Sequence, residues 1–351
     1  MCVSPVLIPN PNYHNPCEII QKTTDTELQF LRVPCGVCDE CLMKRQSDIV
    51  QRCKCLALDH YIFFCTLTYN PESLPVIETS TGVSVKYADY KDAQNMFKRI
   101  RKYDQFGRPF KYFFVSERGK KGRPHFHGLI FIPKSPLDDT LITASLESTI
   151  RKVLFREWRR NYGSTRSPIW KPLFTYKSKI VGGKVYSNFD CHYVVPHSTE
   201  HGSDDVAFYV SKYVLKPSEY EKKLQQALHL NLDEFEYRDI WRIVRSRCFS
   251  SKGFGAYTDL EKDYITDCIH RSSDDSNGFQ YINQDGTKCG LARYYRKFVD
   301  ADSAIRSVAA RGGPVALHDR TQFDIDQSLC RSQKIISEVS KRDIIDFIPD
   351  D

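Results

Sequence analysis

The hydrophobic positions along the chain form several runs with the character of β-strands. The run "YIFFCTLTY" (61–69) is rich in β-branched and aromatic residues and ends at the turn-forming "NPESLP", so it predicts a buried strand, which we take as the central one. The runs "FKYFFVSE" and "HFHGLIFI" flank the glycine- and lysine-rich turn "RGKKGRP" and predict an antiparallel hairpin. The segment "FTYKSKIVGGKVYSNF" predicts another hairpin about Gly182 and Gly183. Together these runs predict a β-sheet.

Apolar residues at helical spacing predict helices among these strands. The segment "DYKDAQNMFKRIRKY" begins at Asp89, a predicted N-cap, and "ASLESTIRKVLFREW" repeats the helical pattern. A third segment, "SDDVAFYVSKYVLKP", starts at Ser203, has two aspartates in its first turn and ends at Pro217. Strands and helices therefore alternate along the chain up to that proline.

The patterns divide the chain into three expected regions. Residues 1–58 comprise an irregular arm, rich in proline and asparagine at its start, and a cysteine-rich segment. Residues 59–217 contain the predicted sheet with its helices, and residues 218–351 are expected to be mostly helical, with a role that the sequence does not assign.

Length and composition indicate a globular protein with a buried core, since the chain has 351 residues of which 41% are hydrophobic. No apolar run reaches the roughly 20 residues that a membrane span requires. The start, "MCVSPVLIPNPNY", lacks the basic region and apolar core of a signal peptide. We therefore expect a protein that acts inside a cell, without a membrane partner.

Positive charge is concentrated in the first two regions. Residues 1–216 hold 31 Lys and Arg against 21 Asp and Glu, whereas residues 217–351 hold 20 against 23. Between Lys98 and Lys184 the ratio is 21 to 6, with aromatic residues interspersed, as in "FREWRRNYGSTR". This pattern favours a nucleic-acid partner with stackable bases, and a solvated basic surface is the alternative.

Two histidines one residue apart open the strand "HFHGLIFI". Because side chains alternate along a strand, His125 and His127 point the same way and could bind one divalent cation. Glu117 ends the preceding strand of the hairpin and would add an oxygen ligand, which suits Mg²⁺ or Mn²⁺. Alternatively, one histidine is a hydrogen-bonded core residue and the other faces a turn.

The third predicted helix carries a set of tyrosines and lysines on one face: Tyr209, Lys212, Tyr213 and Lys216. A tyrosine hydroxyl can attack a phosphate that a metal polarises and an ammonium group neutralises. The alternative is that the two amphipathic tyrosines simply pack at a helix edge.

Three cysteines, Cys35, Cys38 and Cys41, repeat every third residue and form two overlapping Cys-x-x-Cys pairs. This spacing favours Zn²⁺, which needs four ligands in a structural site. The alternatives are reduced buried thiols and an iron–sulfur cluster. Several residues could supply the fourth ligand: Cys2, Cys17, His14, Cys53 and Cys55.

Four segments in order, "VPCGVCDECLMKR", "FFCTLTY", "GRPHFHGLIF" and "YVSKYVLK", carry a family resemblance. The chain resembles the HUH-family replication initiators, specifically the rolling-circle replication proteins of microviruses of gokushovirus type, which are single-stranded DNA bacteriophages. The resemblance covers about residues 30–216, and its three conserved motifs are specific as an ordered set.

The resemblance implies an α+β fold, in which helices pack on a five-stranded antiparallel HUH endonuclease sheet. It implies that His125 and His127 bind the metal, that Glu117 is a third ligand, and that Tyr209 and Tyr213 are paired nucleophiles. One tyrosine would nick single-stranded origin DNA, form a 5′-phosphotyrosine link and later rejoin the ends. The implied partners are origin DNA and the host replication helicase and polymerase, in the host bacterial cytoplasm.

Other classes of protein stay open on the sequence alone. A non-catalytic nucleic-acid-binding phage protein would use the basic region and the cysteine segment, but it leaves "YVSKYVLK" unexplained. A capsid-associated protein explains still fewer of the motifs. A single-strand transposase or a plasmid relaxase would share the metal motif, but two tyrosines four residues apart disfavour the transposase.

Overall fold

A computed structural model describes most of the chain. The described residues are 5–36, 38–119, 122–176, 178–181, 184–187, 189–194, 219–256, 263, 265–267, 269–270, 279–282, 288–296 and 298–310. They form two compact units, of which one contains the described residues up to Leu58 and from Gly255 onward, and the other contains those between Asp59 and Phe254.

The strands in chain order are β1 (Val6–Pro9), β2 (Phe30–Val33), β3 (His60–Thr68), β4 (Val76–Glu78), β5 (Ser84–Lys86), β6 (Lys111–Arg118), β7 (Pro124–Pro133), β8 (Arg159–Asn161), β9 (Trp170–Pro172), β10 (Ser178–Val181), β11 (Lys184–Ser187), β12 (Asp190–Tyr193), β13 (Cys248–Ser250), β14 (Gln280–Ile282) and β15 (Lys288–Gly290). The helices are α1 (Glu18–Thr23), α2 (Asp39–Ala57), α3 (Tyr90–Lys102), α4 (Ile142–Glu157), α5 (Glu219–Asn231), α6 (Glu234–Val244), α7 (Arg293–Arg296) and α8 (Ala301–Ala310). Among the residues described, no helix is both long and apolar enough to cross a bilayer.

The fold is α+β and contains the expected five-stranded antiparallel sheet, which confirms the predicted fold class. Its strand order is β12-β3-β7-β6-β13, and every neighbouring pair is antiparallel. The prediction that residues 61–69 form the central strand is wrong, because β7 lies in the middle and β3 lies between β7 and the short β12. Both β3 and β7 are buried almost throughout, so their apolar runs alone could not reveal which strand is central.

One face of this sheet packs against α3 and α4. Phe63, Phe114 and Ile130 from the sheet join a single apolar cluster with residues such as Phe97 of α3 and Ile150 of α4. Both helices were predicted from their apolar spacing, and the Asp89 carboxylate caps α3 by accepting a hydrogen bond from the Lys91 backbone N–H. Each buried large apolar side chain contributes about 1.5–3 kcal/mol, so this cluster stabilises the face of the sheet opposite the metal ligands described below.

Strand β6 and strand β7 form the hairpin predicted from the "RGKKGRP" turn. The second predicted hairpin is also present, as β10 and β11, but these strands form a separate two-stranded sheet.

The prediction of an irregular arm for residues 1–34 is wrong. Strands β1 and β2 pair from Val6↔Val33 to Pro9↔Phe30, and α1 lies between them. The buried amide of Asn10 stabilises this arm by donating hydrogen bonds to the carbonyl oxygens of Asp25 (2.9 Å) and Leu28 (2.7 Å). Four-residue strands beside prolines are too short to give a detectable period, which is why the pattern did not reveal them.

The C-terminal residues contribute to both units. Helices α5 and α6 follow residue 217 in the helical form expected there, but the edge strand β13 of the five-stranded sheet also comes from beyond that residue. From Gly255 onward the described chain packs with α2, where the Gln51 side chain donates to the Gly290 carbonyl (2.7 Å) and accepts from the Ala292 N–H (2.8 Å). The sheet unit therefore extends past the boundary at residue 217 that the sequence suggested.

Candidate metal centre

The pairing of β6, β7 and β3 brings Glu117, His125 and His127 together on one face of the sheet. Glu117 lies directly opposite His125, and His127 lies directly opposite Thr66 of β3. The Glu117 Oε1 atom lies 2.7 Å from His125 Nε2 and 2.8 Å from His127 Nε2, and the two Nε2 atoms lie 3.0 Å apart. The three residues predicted as ligands are therefore one cluster whose ligand atoms converge.

The second nitrogen of each imidazole is also oriented. His125 Nδ1 lies 3.1 Å from the Arg123 carbonyl oxygen, which can only accept, so Nδ1 carries the proton. His127 Nδ1 lies 3.0 Å from the Thr66 hydroxyl. In neutral His125, Nε2 is then an acceptor that faces another acceptor, the Glu117 carboxylate. This arrangement is stable only with a cation, either a proton or a metal ion, between the converging atoms.

Burial and charge set the protonation states of the cluster. Burial opposes ionisation of Glu117, but attraction to His127 and His125 and their hydrogen bonds outweigh it and hold the pKa of Glu117 well below its ordinary value. Burial lowers the pKa of His127, and the Glu117 carboxylate opposes that effect. An ionised carboxylate and a neutral imidazole are the forms that bind metals. The three residues can therefore hold a metal ion, and the mixed oxygen and nitrogen donors fit a divalent cation.

The surroundings of the cluster include residues that the motifs did not single out. The ring of Phe64 stacks on His127 with centroids 5.5 Å apart, and His192 packs on Phe64 at 5.3 Å. The His192 Nδ1 atom lies 3.0 Å from the Asp190 carboxylate. The alternation of β3 could have revealed Thr66 and Phe64, because residues of one parity in "YIFFCTLTY" share a face with the ligands, whereas His192 lies on a short edge strand that no pattern predicted.

The four residues predicted on the nucleophile helix, Tyr209, Tyr213, Lys212 and Lys216, lie outside the described residues. The described chain stops at Val194 and resumes at Glu219. Their chemical role is therefore a matter of proposal.

The point where the chain resumes is next to the metal ligands. A Cβ atom on Gly122, which has φ +78°, would lie 2.4 Å from the Tyr220 ring, so the start of α5 packs directly on the turn between β6 and β7. The Arg118 guanidinium, one residue after the ligand Glu117, lies 5.8 Å from the centre of the same ring. The Glu221 carboxylate fixes this contact by accepting from the Ser246 N–H (2.6 Å) and hydroxyl (2.7 Å).

The thiols of Cys35, Cys38 and Cys41 form a second group that can hold a metal ion, at the start of α2. Their sulfur atoms lie within 4.8 Å of one another, and the Cys38 N–H donates to the Cys35 sulfur at 3.3 Å. Among the described residues, no fourth ligand belongs to this group; Cys2 lies outside them.

The structure rules out two residues that the sequence allowed as the fourth ligand of this group, Cys53 and Cys55. Cys53 lies 12 residues after Cys41 in the same helix, which is about 18 Å along its axis. Cys55 belongs to an apolar cluster with Ile265 and Tyr295, and burial raises the pKa of the Cys53 thiol to about 12. Both are buried thiols rather than ligands.

Comparison with known proteins adds a family to this geometry. Residues 62–218 match the family described as replication-associated protein ORF2. A relative described as "Replication-associated protein ORF4", from Chlamydia phage 1, is 33% identical over 103 residues, which are 28% of this chain and 24% of that relative. The chain therefore matches about a quarter of the length of this relative, and no solved structure matches. These matches confirm the resemblance to gokushovirus-type replication proteins that the ordered motifs indicated.

Proposed function

Because residues 62–218 match the replication-associated protein ORF2 family, we propose that the protein is a rolling-circle replication initiator. It nicks single-stranded origin DNA through a tyrosine, holds the strand as a 5′-phosphotyrosine and later rejoins the ends, and so acts as a metal-dependent endonuclease with strand-transfer activity.

The observation that carries this proposal is the convergence of the Glu117 carboxylate and the two imidazoles within 3.0 Å. A divalent cation held there, Mg²⁺ or Mn²⁺, would polarise the scissile phosphate. The chain's own contribution is to orient the ligands, since the Thr66 hydroxyl and the Arg123 carbonyl fix the two rings before any substrate binds.

Chain length supports a tyrosine nucleophile at this centre. Tyr213 precedes Tyr220 by seven residues, a stretch that spans at most about 25 Å when extended and about 10 Å in a helix. Since Tyr220 packs beside Gly122, in the turn that links the ligand-bearing strands, Tyr213 is tethered within reach of the metal ligands. Tyr209 lies one helical turn further along the sequence if the predicted helix forms.

The proposed reaction balances without a redox partner. The tyrosine Oη attacks phosphorus, the bond from phosphorus to the 3′ oxygen breaks, and the departing oxygen takes up a proton to give a free 3′-hydroxyl. Lys212 or Lys216 stabilises charge on the phosphate or assists the proton transfer. Attack of a 3′-hydroxyl on the phosphotyrosine reverses the step and joins two ends.

Two tyrosines allow the reaction to repeat. While Tyr209 or Tyr213 holds the 5′ end of the displaced strand, the other cleaves the regenerated origin, and the new 3′-hydroxyl closes a circle. The partners in this scheme are origin DNA and, in the cytoplasm of the host bacterium, the replication helicase and the polymerase that extends the free 3′-hydroxyl.

We also propose that Cys35, Cys38 and Cys41 hold a structural Zn²⁺. Three thiols within 4.8 Å at the start of a helix supply most of a tetrahedral site, and such a site would fix the start of α2 to the segment before it.

The proposal is tested by incubating the protein with labelled circular single-stranded origin DNA and Mn²⁺, followed by a denaturing gel. We expect a covalent protein–DNA band with wild type and with the exposed control His229→Ala. Tyr209→Phe and Tyr213→Phe should each retain nicking but lose sustained circle production, and the double variant should form no band. A non-catalytic DNA-binding protein would bind the DNA and give no covalent band with any variant.

A further inference from the structure

We propose that Tyr162, Arg160 and Lys171 form a binding site for one unpaired nucleotide of single-stranded DNA, beside the metal centre. The site lies on one face of the hairpin of β8 and β9. The identity of its strand as origin DNA rests on the proposed function, whereas the site itself is defined by the chemistry of these three side chains.

The hairpin register places the three side chains on the same face. Arg160 lies directly opposite Lys171, and Tyr162 follows Arg160 by two residues while its N–H continues the ladder to the Ile169 carbonyl at 2.9 Å. The Tyr162 ring is 48% exposed. The Lys171 ammonium lies 5.4 Å and the Arg160 guanidinium 5.7 Å from the centre of that ring. An accessible aromatic ring thus has two cations beside it.

Buried groups hold this site in place. The Arg160 guanidinium forms two hydrogen bonds with the buried Asp92 carboxylate, one of them 2.9 Å long from Nε to Oδ1. The Asp92 carboxylate also accepts a hydrogen bond from the Tyr69 hydroxyl at 3.0 Å. A guanidinium fixed in this way keeps its planar donors beside the Tyr162 ring without losing side-chain entropy when a ligand binds.

The same contacts place the hairpin at the edge of the sheet that carries the metal ligands. Tyr69 directly follows Thr68, which lies opposite His125, and the Tyr69 carbonyl accepts a hydrogen bond from the Arg123 guanidinium. The neighbouring Asn70 N–H donates to the Leu173 carbonyl, one residue after β9, at 2.6 Å. A strand whose phosphate reaches the metal centre can therefore pass over this hairpin.

Charge and geometry together select single-stranded DNA as the ligand. The region from Lys98 to Lys184 has 21 basic residues against 6 acidic ones, which attracts a polyanion. An exposed tyrosine ring offers a stacking surface that an unpaired base can use and a paired base cannot, because paired bases are already stacked in the duplex. In the complex the base stacks on Tyr162 and the Lys171 ammonium contacts the adjoining phosphate.

The test measures binding of a fluorescent single-stranded oligonucleotide by anisotropy, in EDTA so that no cleavage occurs. Tyr162→Ala should weaken binding roughly tenfold, while Tyr162→Phe, which keeps the ring, should bind like wild type. Binding of a duplex of the same length should not change with either variant. The matched control is Tyr103→Ala, since Tyr103 is 63% exposed and has a lysine ammonium 5.2 Å from its ring, but follows the opposite end of α3 from Asp92.

Wild-type affinity of Tyr162→Ala, or an equal loss for single-stranded and duplex DNA, would overturn the proposed site. A loss as large in Tyr103→Ala would also overturn it, because an exposed tyrosine anywhere on the surface would then suffice. The covalent-band assay separates this inference from the proposed function: a protein that forms no band but binds single strands through Tyr162 refutes the nuclease and retains the nucleotide site.

Discussion

The Glu117 carboxylate lies 2.8 Å from the His127 imidazole, although ten residues separate them in the chain. The turn between β6 and β7 produces this contact, because it folds Glu117 back against the strand that carries both histidines. The ligand set is thus a property of one hairpin, and the neighbouring strand β3 only orients it. This division of roles leads to separate predictions for the ligands, their supports and the segment that follows.

The Thr66 hydroxyl should be required for full metal affinity. Thr66→Val removes the group that lies 3.0 Å from His127 Nδ1 while preserving the shape of the side chain. We expect the affinity for Mn²⁺, measured by electron paramagnetic resonance titration, to fall between about 10- and 100-fold. Thr66→Ser keeps the hydroxyl and should bind Mn²⁺ as wild type does; an equal loss in both variants would show that the hydroxyl does not support the ligand.

Metal affinity should persist at mildly acidic pH. Burial lowers the pKa of His127, and the pKa of Glu117 lies well below its ordinary value, so neither ligand takes up a proton as the pH falls from 8 toward the ordinary histidine pKa of about 6.5. We expect a constant Mn²⁺ affinity over that interval and a decline only below it, where protons compete for the imidazole. A clear loss of affinity between pH 8 and 7, with unchanged circular dichroism, would contradict this assignment.

The contact between Gly122 and Tyr220 should control nicking without controlling metal binding. In Gly122→Ala the new methyl group would meet the Tyr220 ring and displace the start of α5, and with it the tether of Tyr213. We expect the nicking rate to fall between about 10- and 100-fold at unchanged Mn²⁺ affinity.

Gly107→Ala is the matched control for this substitution. Gly107 also has a positive φ, +65°, but a Cβ there has no atom within 4 Å, so this variant carries the backbone strain without the clash. Equal nicking rates in the two variants would show that the Tyr220 contact does not position the nucleophile.

The cysteine group should contain one zinc ion per chain. Cys38→Ser removes a thiol from the group, whereas Cys17→Ser changes an exposed cysteine that does not belong to it. Metal analysis of the purified proteins should therefore find stoichiometric zinc in wild type and Cys17→Ser and a marked loss in Cys38→Ser. Absence of both zinc and iron from the wild-type protein would reject the site.

Local patterns in the sequence predict the ligand cluster, because alternation in a strand and a short turn are enough to join Glu117, His125 and His127. They do not predict the rank of β3 in the sheet or the pairing of β13, since Cys248 lies opposite Val115 across more than a hundred intervening residues. Distant pairings of this kind depend on tertiary packing, and the same is true of the contacts that join Tyr162 to the metal-bearing edge through Asp92.

The central claim is that the hairpin binds the divalent ion that nicking requires. It is tested most directly by cleavage of a labelled single-stranded origin oligonucleotide over a Mn²⁺ titration, with wild type and with the double variant His125→Ala/His127→Ala. The account predicts saturable, EDTA-sensitive nicking by wild type and no Mn²⁺-dependent nicking by the double variant, which should still bind the oligonucleotide. Undiminished nicking by the double variant would contradict it.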